Sequence, residues 1–345
     1  MSNRIHVLIN GESFGPYPEV EFRQHVADKK ILKSDLVWRE GLSDWIAAAD
    51  LLNQLAAARN TTGAWQPTTR SVFDQTKAAA ERGDADAQFR LGVLFDKAEG
   101  APLNRVEAAR WFRLAAERDH AAAQFQLSLM LFAGQGVVKN EAEAARWLGK
   151  AAQAGHGEAQ YTLGFKHANG QDVPPNDAEA VNWFRKAAEQ GHALAECSLG
   201  YMFDHGRGTA KDNAEAFKWY GKAAERGDAV AQNNFAMMLA SGQGVSKNEA
   251  EAARWFRKAA EQGVPGAQTN LGLLLARGQG MPQDYVEACK WFNLAAGQGH
   301  AAAGKNRELL AAHMTSEQIA ESRQRAARFV AKRQPGLSPA VGGRA

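Results

Sequence analysis

HGEAQYTLGFKHANGQDVPPNDAEAVNWFRKAAEQG, residues His156 to Gly191, is one of six 36-residue units that follow one another without insertion or deletion. Trp111, Trp147, Trp183, Trp219, Trp255 and Trp291 form one column of the alignment of the chain with itself. Ala87, Ala123, Ala159, Ala195, Ala231 and Ala267 form another. A fixed period of this size marks a stacked array in which each unit buries its apolar face against its neighbours.

Each unit reads as a helical hairpin. In the unit Asp84 to Asp119, residues Ala87, Leu91, Leu94, Phe95 and Ala98 follow helical spacing. Gly92 sits inside that helix, and the same position holds Ser128, Gly164, Gly200, Ala236 and Gly272. A mid-helix glycine costs about 1 kcal/mol against alanine. Its recurrence therefore predicts a close neighbour, for which the tryptophan column is the natural candidate. Glycine pairs such as Gly134 with Gly136 and Gly206 with Gly208 stop the first helix through left-handed backbone. They follow helices and precede no Gly-Lys-Ser/Thr, so they are not phosphate loops.

The second helix opens on Asn104, Asn140, Asn176, Asp212, Asn248 or Asp284, with Glu107, Glu143, Glu179, Glu215, Glu251 or Glu287 three residues later. That spacing predicts a capping box in each copy and makes these glutamates structural. The helix continues Ala-x-x-Trp-aromatic-x-x-Ala-Ala, as in Ala108, Trp111, Phe112, Ala115 and Ala116. Large rings set among small residues let neighbouring helices interdigitate.

Outside the array the chain changes texture. Residues 1–55 alternate short apolar runs with turns: Ile5 to Ile9, the turn Asn10-Gly11, a return strand Glu12 to Gly15, a helix Pro18 to Asp28, a strand Asp35 to Trp38 and a closing helix Asp44 to Leu52. This is a small α+β domain. Residues 56–70 have linker composition, with Trp65 expected to pack back on a neighbour. Residues 71–83 read as a half-repeat cap, because Ala79 and Ala80 fall in register with Ala115 and Ala116. Six repeats then occupy 84–302 and capping helices 303–333, the last of them opening at Thr315 and running to about Ala331. Residues 334–345, with Pro335, Gly336 and Pro339, read as a disordered tail.

Composition narrows the function classes. The chain of 345 residues carries a net charge of +3. Residues 1–55 hold −2, residues 305–345 hold +5, and the array between them is neutral. A neutral array is a poor binder of phosphate backbones, so no specific nucleic acid is expected. The basic C-terminal helix, with Arg323, Arg325, Arg328, Lys332 and Arg333, reads as a solvated cap whose charges suit its dipole. No apolar run is long enough for a membrane span. The opening residues lack a signal peptide's apolar core, which predicts a cytoplasmic protein. Cys197 and Cys289 have no partner at redox or metal-ligand spacing and read as buried thiols.

Two resemblances sharpen this picture. Ala159-Gln160-Tyr161-Thr162-Leu163-Gly164 and Ala180-Val181-Asn182-Trp183-Phe184-Arg185-Lys186-Ala187-Ala188 resemble the Sel-one-like repeat, a relative of the tetratricopeptide repeat. The resemblance implies a right-handed α-solenoid of helix-turn-helix repeats, lined along its groove by the first helices, and a non-enzymatic adaptor role. Gly15-Pro16-Tyr17, Glu21-Phe22 and the run Leu36 to Trp45 resemble the bacterial GYF-like domain. GYF domains bind proline-rich peptides on an aromatic surface. Here Ile5-His6 replaces the family's N-terminal aromatic pair, and Lys29-Lys30-Ile31 stands near where the Gly-Tyr-Phe tripeptide belongs. Tyr17, Trp38 and Trp45 are either core residues or the peptide platform.

Catalytic signatures are missing: no His-Glu-x-x-His, Gly-x-Ser-x-Gly or Cys-x-x-Cys occurs. His120, His156, His192 and His300 share one repeat position. Packed helices lie about 8–10 Å apart, too far for equivalent rings to share an ion bound at about 2 Å. A local role at the helix start is expected for them. No catalytic residue, metal or cofactor is predicted.

The binding surface is sought where copies differ. Arg90, Gln126, Thr162, Ser198, Asn234 and Asn270 form a polar column that never repeats a dominant residue. Three residues on, Val93, Leu129, Phe165, Tyr201, Met237 and Leu273 form an apolar one. A polar ladder beside an apolar one suits an extended peptide or a partner helix. Two alternatives remain open: cell-wall or β-lactam chemistry as linked to cysteine-rich relatives, and an N-terminal domain that binds alone with the array as spacer.

Overall fold

The computed structural model describes residues 4–9, 12–32, 35–39, 46–49, 51–52 and 67–332. The chain divides into two compact units, Met1–Ala78 with Lys97–Leu103, and Ala79–Asp96 with Asn104–Ala345.

In the first unit, strands β1 (Arg4–Ile9), β2 (Glu12–Pro18), β3 (Leu36–Arg39) and β4 (Ile46–Ala47) pair antiparallel in the order β2-β1-β3-β4. Helix α1 (Glu19–Ala27) follows β2. Alternation along β1 turns Ile5 and Val7 inward, where they meet Phe22 of α1, Ile31, Val37, Ala48 and Leu51. The return strand reaches Pro18, three residues further than expected. The stretch expected to open the closing helix contributes β4 instead: Ile46 pairs with Val37, a β-branched match across the ladder, and only then do residues 48–49 and 51–52 turn helical. The Asn10-Gly11 turn, Trp45 and Trp65 lie outside the described residues, as does the 334–345 tail.

Helix α2 (Pro67–Glu81) begins inside the stretch expected as linker; proline suits a first helical position because the missing N–H has no intrahelical partner there.

The second unit is an α-solenoid. First helices are α3 (Ala85–Asp96), α5 (Ala121–Ala133), α7 (Gly157–Asn169), α9 (Ala193–His205), α11 (Ala229–Ser241) and α13 (Pro265–Arg277). Second helices are α4 (Arg105–Ala116), α6 (Glu141–Gln153), α8 (Asp177–Glu189), α10 (Asn213–Glu225), α12 (Glu249–Glu261) and α14 (Tyr285–Gly297). Helices α15 (Ala301–Ala311) and α16 (Ser316–Ala327) close the array; α16 ends four residues earlier than expected.

The mid-helix glycines face a ring, though not the tryptophan. A Cβ on Gly164 would lie 2.8 Å from Phe184, on Gly200 2.8 Å from Tyr220, and on Gly272 2.6 Å from Phe292. Each partner is the aromatic residue after the tryptophan, buried in the hairpin. In the second repeat Ser128 stands at the glycine position and Leu148 at the ring position, whereas the fifth keeps both a Cβ, on Ala236, and the ring of Phe256. The tryptophan, one residue earlier, points about 100° away around the second helix. Trp147, Trp183 and Trp255 are half-buried, with Lys150, Lys186 and Lys258 lying 4.6, 4.2 and 3.8 Å from their ring centres. Such placement is a cation–π contact that also shields the ring.

Each second-helix cap forms only half of the expected box. Asn140 Oδ1 accepts from the Glu143 N–H at 3.0 Å, and its equivalents do the same. The reciprocal bond is not made, because the cap's own N–H already donates to the preceding helix, Asn140 to Leu131 O at 3.0 Å and Asn248 to Leu239 O at 2.8 Å. The freed carboxylates bind elsewhere. Glu215 accepts from Trp219 Nε1 at 2.9 Å, and Glu143 takes both Trp147 Nε1 and Arg113. The complete box occurs at α16, between Thr315 and Gln318.

The first glycine of each pair stops its helix in left-handed backbone, as at Gly134 with φ 67°. The second glycine has a further reason. A Cβ on Gly208 would lie 2.2 Å from the Asp177 backbone, and one on Gly244 2.3 Å from Asn213 O, each in the preceding unit. The period is thus enforced where one unit's loop touches the last unit's second helix.

Candidate binding surface on the first helices

The two variable columns are not equally available. Arg90 is exposed, and Gln126, Thr162, Asn234 and Asn270 are partly exposed. Ser198 is 1% exposed and presents no surface. Thr162 turns its hydroxyl back to Glu158 O at 2.7 Å. Leu129 and Met237 are among the exposed large apolar side chains. Around α9, α11, α13 and α15 the surface opens into a recess of about 820 Å³ that includes Tyr201, Asn234 and Met237. Met237 and Asn270 also border a neighbouring recess of about 320 Å³, and Gln126 borders a third with Leu129.

Asn233 organises the polar side of the large recess. Its Nδ2 donates to Asn234 Oδ1 at 3.2 Å, and its Oδ1 accepts from Asn270 Nδ2 at 3.4 Å. One asparagine from the sequence-predicted column is thereby tied to the next, repeat to repeat.

The histidine column has a defined local role. His120, His156 and His192 each cap a first helix, their Nδ1 accepting from the N–H of Ala123, Ala159 and Ala195 at 3.1, 3.3 and 3.2 Å. Asp84 and Asp228 do the same with a carboxylate. An accepting Nδ1 requires the imidazole to be neutral. The rings also reach back one unit, stacking on Phe89, Phe125 and Tyr161 with centroids 4.6, 4.8 and 4.8 Å apart. On the other side His120 Nε2 lies 3.2 Å from Asp86, and His192 Nε2 3.1 Å from Glu158. Burial holds His156 below the ordinary imidazole range, with Glu158 opposing. The histidine hydrogen bond holds Glu158 below the ordinary carboxylate range.

A second inter-repeat ladder was not anticipated from the sequence. Gln160, Gln232 and Gln268 are buried, donate to the carbonyls of Ala152, Ala224 and Ala260 in the preceding repeat, and accept from Gln190, Gln262 and Gln298 at the end of their own repeat at 2.8–3.0 Å. In the fourth unit the pair is Glu196 with Arg226, 3.1 Å apart. Burial raises the Glu196 carboxyl above its ordinary range in spite of the arginine. The signal was present as a constant spacing of 30 between polar residues.

Both cysteines are buried and free. Burial raises the Cys197 thiol well above its ordinary range, and Ser322 Oγ donates to Cys289 Sγ at 3.2 Å. Among the described residues no group of three or more His, Cys, Asp or Glu is placed to hold a metal ion, and no helix is long and apolar enough to cross a membrane. Of the basic C-terminal residues, Arg325 pairs with Glu321 and Glu287, and Lys332 with Glu261; Arg333 lies outside the described residues.

In the first unit Tyr17 is partly buried and meets His25 edge-on at 5.1 Å. Trp38 is partly buried opposite His6 on the adjacent strand, their rings 6.0 Å apart.

The GYF domain 2 model matches residues 6–52. The Sel1 repeat model matches residues 85–120, 121–156, 157–192, 193–228, 229–264 and 265–300. Among solved structures, a Sel1 repeat protein from Oxalobacter formigenes is 28% identical with a TM-score of 0.55, over 66% of this chain and 99% of that one. A protective antigen of uropathogenic Escherichia coli strains displaying an SLR fold is 28% identical with a TM-score of 0.54, over 74% of this chain. The match spans 63% of that antigen's length. No curated protein matches the chain. Sel1 repeat proteins are generally protein-interaction scaffolds. With six consecutive matches in register with the tryptophan period and the hairpins just described, this chain belongs to the Sel1 repeat family.

Proposed function

We propose that the chain is a non-enzymatic adaptor whose first-helix surface binds an extended peptide or a partner protein, in the cytoplasm and without a cofactor. The observation that carries this reading is the recess around α9, α11, α13 and α15, where Tyr201 and Met237 offer apolar contact beside the linked amides of Asn233, Asn234 and Asn270. Amide side chains supply a donor and an acceptor each, which matches the alternating groups of a peptide backbone. Arg90, Gln126 and Thr162 extend the same column over earlier units, and Ser198 is withdrawn from it by burial.

The test uses the full-length chain as bait to identify a partner, followed by affinity measurement on the double variant Asn234→Glu with Asn270→Glu. Binding falls at least tenfold, about 1.4 kcal/mol, while the melting temperature holds, since changes at such positions usually stay within about 0.5 kcal/mol. Unchanged affinity removes this surface from consideration.

A second reading rests on the sheet of the first unit. Alternation along β1 turns His6 and Leu8 away from the core, and their cross-strand partners are Trp38 and Leu36, the latter 42% exposed. This face is a peptide platform built from Trp38, whereas Tyr17 pairs with Ile5 and packs against the core on the other face. Trp38→Ala abolishing capture while the asparagine variant leaves it intact favours this reading over the first.

A further inference from the structure

The large recess ends on two helix N-termini that the rest of the array would have closed. Five first helices, α3, α5, α7, α9 and α11, are capped by a side chain from Asp84, His120, His156, His192 or Asp228. Helix α13 starts at Val264, which has no polar side chain and makes no cap bond, and continues with Pro265 and Gly266. Helix α15 starts at His300, whose Nδ1 bonds Thr269 Oγ1 at 3.0 Å and leaves its own helix uncapped. Val264, Gly266, His300 and Ala302 all line the recess. The N–H groups of Gly266 and Ala267 have no intrahelical acceptor, as in the first turn of any helix.

Charge at this end has been stripped as well. The first turns of α7 and α9 carry Glu158 and Glu196, whereas those of α11, α13 and α15 carry no acidic residue. The acidic residue of the recess, Asp204, lies in the last turn of α9 beside His205, 3.8 Å from its Nδ1. The dipoles of α13 and α15 therefore present their positive ends to the recess with no acidic residue in their own first turns.

An independent group points into the same space. Tyr220 is 1% exposed and is one of the residues that line the recess, its ring is packed on Gly200, and its buried hydroxyl makes no hydrogen bond, Asn234 being a polar neighbour outside bonding geometry. A buried hydroxyl left unbonded is costly unless something satisfies it.

We propose that the recess at the N-termini of α13 and α15 is a carboxylate site that holds the C-terminal end of an extended peptide lying along α11. The carboxylate accepts from the Gly266 and Ala267 N–H groups, and Gly266 leaves room for it: only Asn233, at 3.9 Å, comes near a Cβ built there. The Tyr220 hydroxyl donates to the peptide, and the Asn234 amide N–H groups remain available beside it. Tyr201 and Met237 receive the side chains that precede the terminus. This site deepens the groove reading above and rests on it.

The test follows backbone amides of the full-length chain by nitrogen-15 NMR. The probes are the tripeptide acetyl-Ala-Leu-Leu as free acid, the same tripeptide amidated, and inorganic phosphate. The free acid shifts Gly266, Ala267 and Ala302 saturably, and the amide and phosphate bind at least tenfold more weakly. Val264→Asp installs the cap that Asp228 provides one unit earlier. It raises the melting temperature by a few degrees and weakens the acid at least tenfold, because the new carboxylate occupies the same N–H groups. Tyr220→Phe keeps the ring over Gly200 and weakens the acid at least threefold. Equal binding of acid and amide, equal binding of phosphate, or full affinity in Val264→Asp overturns the proposal. If the acid fails while the asparagine double variant still loses a natural partner, the carboxylate site is wrong and the groove reading stands.

Discussion

The first three repeats and the last three use one inter-repeat position in opposite ways. In the first half, Phe89, Phe125 and Tyr161 stack on His120, His156 and His192, thirty-one residues later, so each unit is fastened to the next by a ring pair that also caps a helix. In the second half the same pairs are Cys197 with Asp228, Asn233 with Val264, and Thr269 with His300. None of these pairs is a ring stack, and the recess of about 820 Å³ opens there, lined by Asn233, Val264 and His300. The backbone period is unchanged between halves. A repeat array thus makes a site by leaving out a contact that its other units make.

The largest expected effect is on stability in the stapled half. Tyr161 packs on Phe165, Phe184 and His192. Tyr161→Ala costs about 2–3 kcal/mol, below the roughly 3–5 kcal/mol of a fully buried aromatic because the ring is only partly buried. Asn233→Ala at the equivalent position costs less than about 1 kcal/mol. Urea midpoints of the two variants check the contrast, and equal losses would erase the distinction between the halves.

Next in size is the effect of building the staple where it is absent. Asn233→Tyr combined with Val264→His recreates the Tyr161 and His192 pair. Affinity for a groove ligand falls at least tenfold, about 1.4 kcal/mol, and the melting temperature holds or rises because α13 gains a cap. Retained binding would show that the recess is incidental to the stack's absence.

The smallest effect is pH-dependent and confined to the stapled half. His156 is held below its ordinary value by burial, so the folded chain takes up a proton there less readily than the unfolded chain. Its contribution is intact above the ordinary imidazole value near 6.5. It falls as pH drops below that value, until the lowered folded value is passed. Protonation removes the Nδ1 acceptor from the Ala159 N–H, a cap worth about 1 kcal/mol. Hydrogen exchange at mildly acid pH therefore accelerates in the first turn of α7 before it does so in that of α11, which Asp228 caps.

Much of this was legible without coordinates. Caps, helix stops and the hairpin period are local signals, set by a few adjacent residues, and the Asn or Asp starts and Gly stops fall where the spacing puts them. The half-formed boxes were not, because the cap N–H is claimed by a carbonyl nine residues earlier, on another helix. The tryptophan column was misassigned for a related reason. Adjacent rings on one helix point in different directions, and only packing shows that Phe184, not Trp183, covers Gly164. In the first unit, Ile46 became a strand residue because Val37 stood ready to pair with it, a non-local decision.

From the sequence by itself came the number of repeats, the hairpin within each and the positions where copies differ, because identical packing against identical neighbours repeats the residues that make it. Which variable positions face open space was decided by tertiary structure. Ser198 and Asn234 occupy the same column, yet one is sealed at 1% exposure and the other borders the recess. The difference lies in side chains brought together from separate units, where the sizes of Asn233 and Val264, against those of Tyr161 and His192, decide whether the array closes or opens.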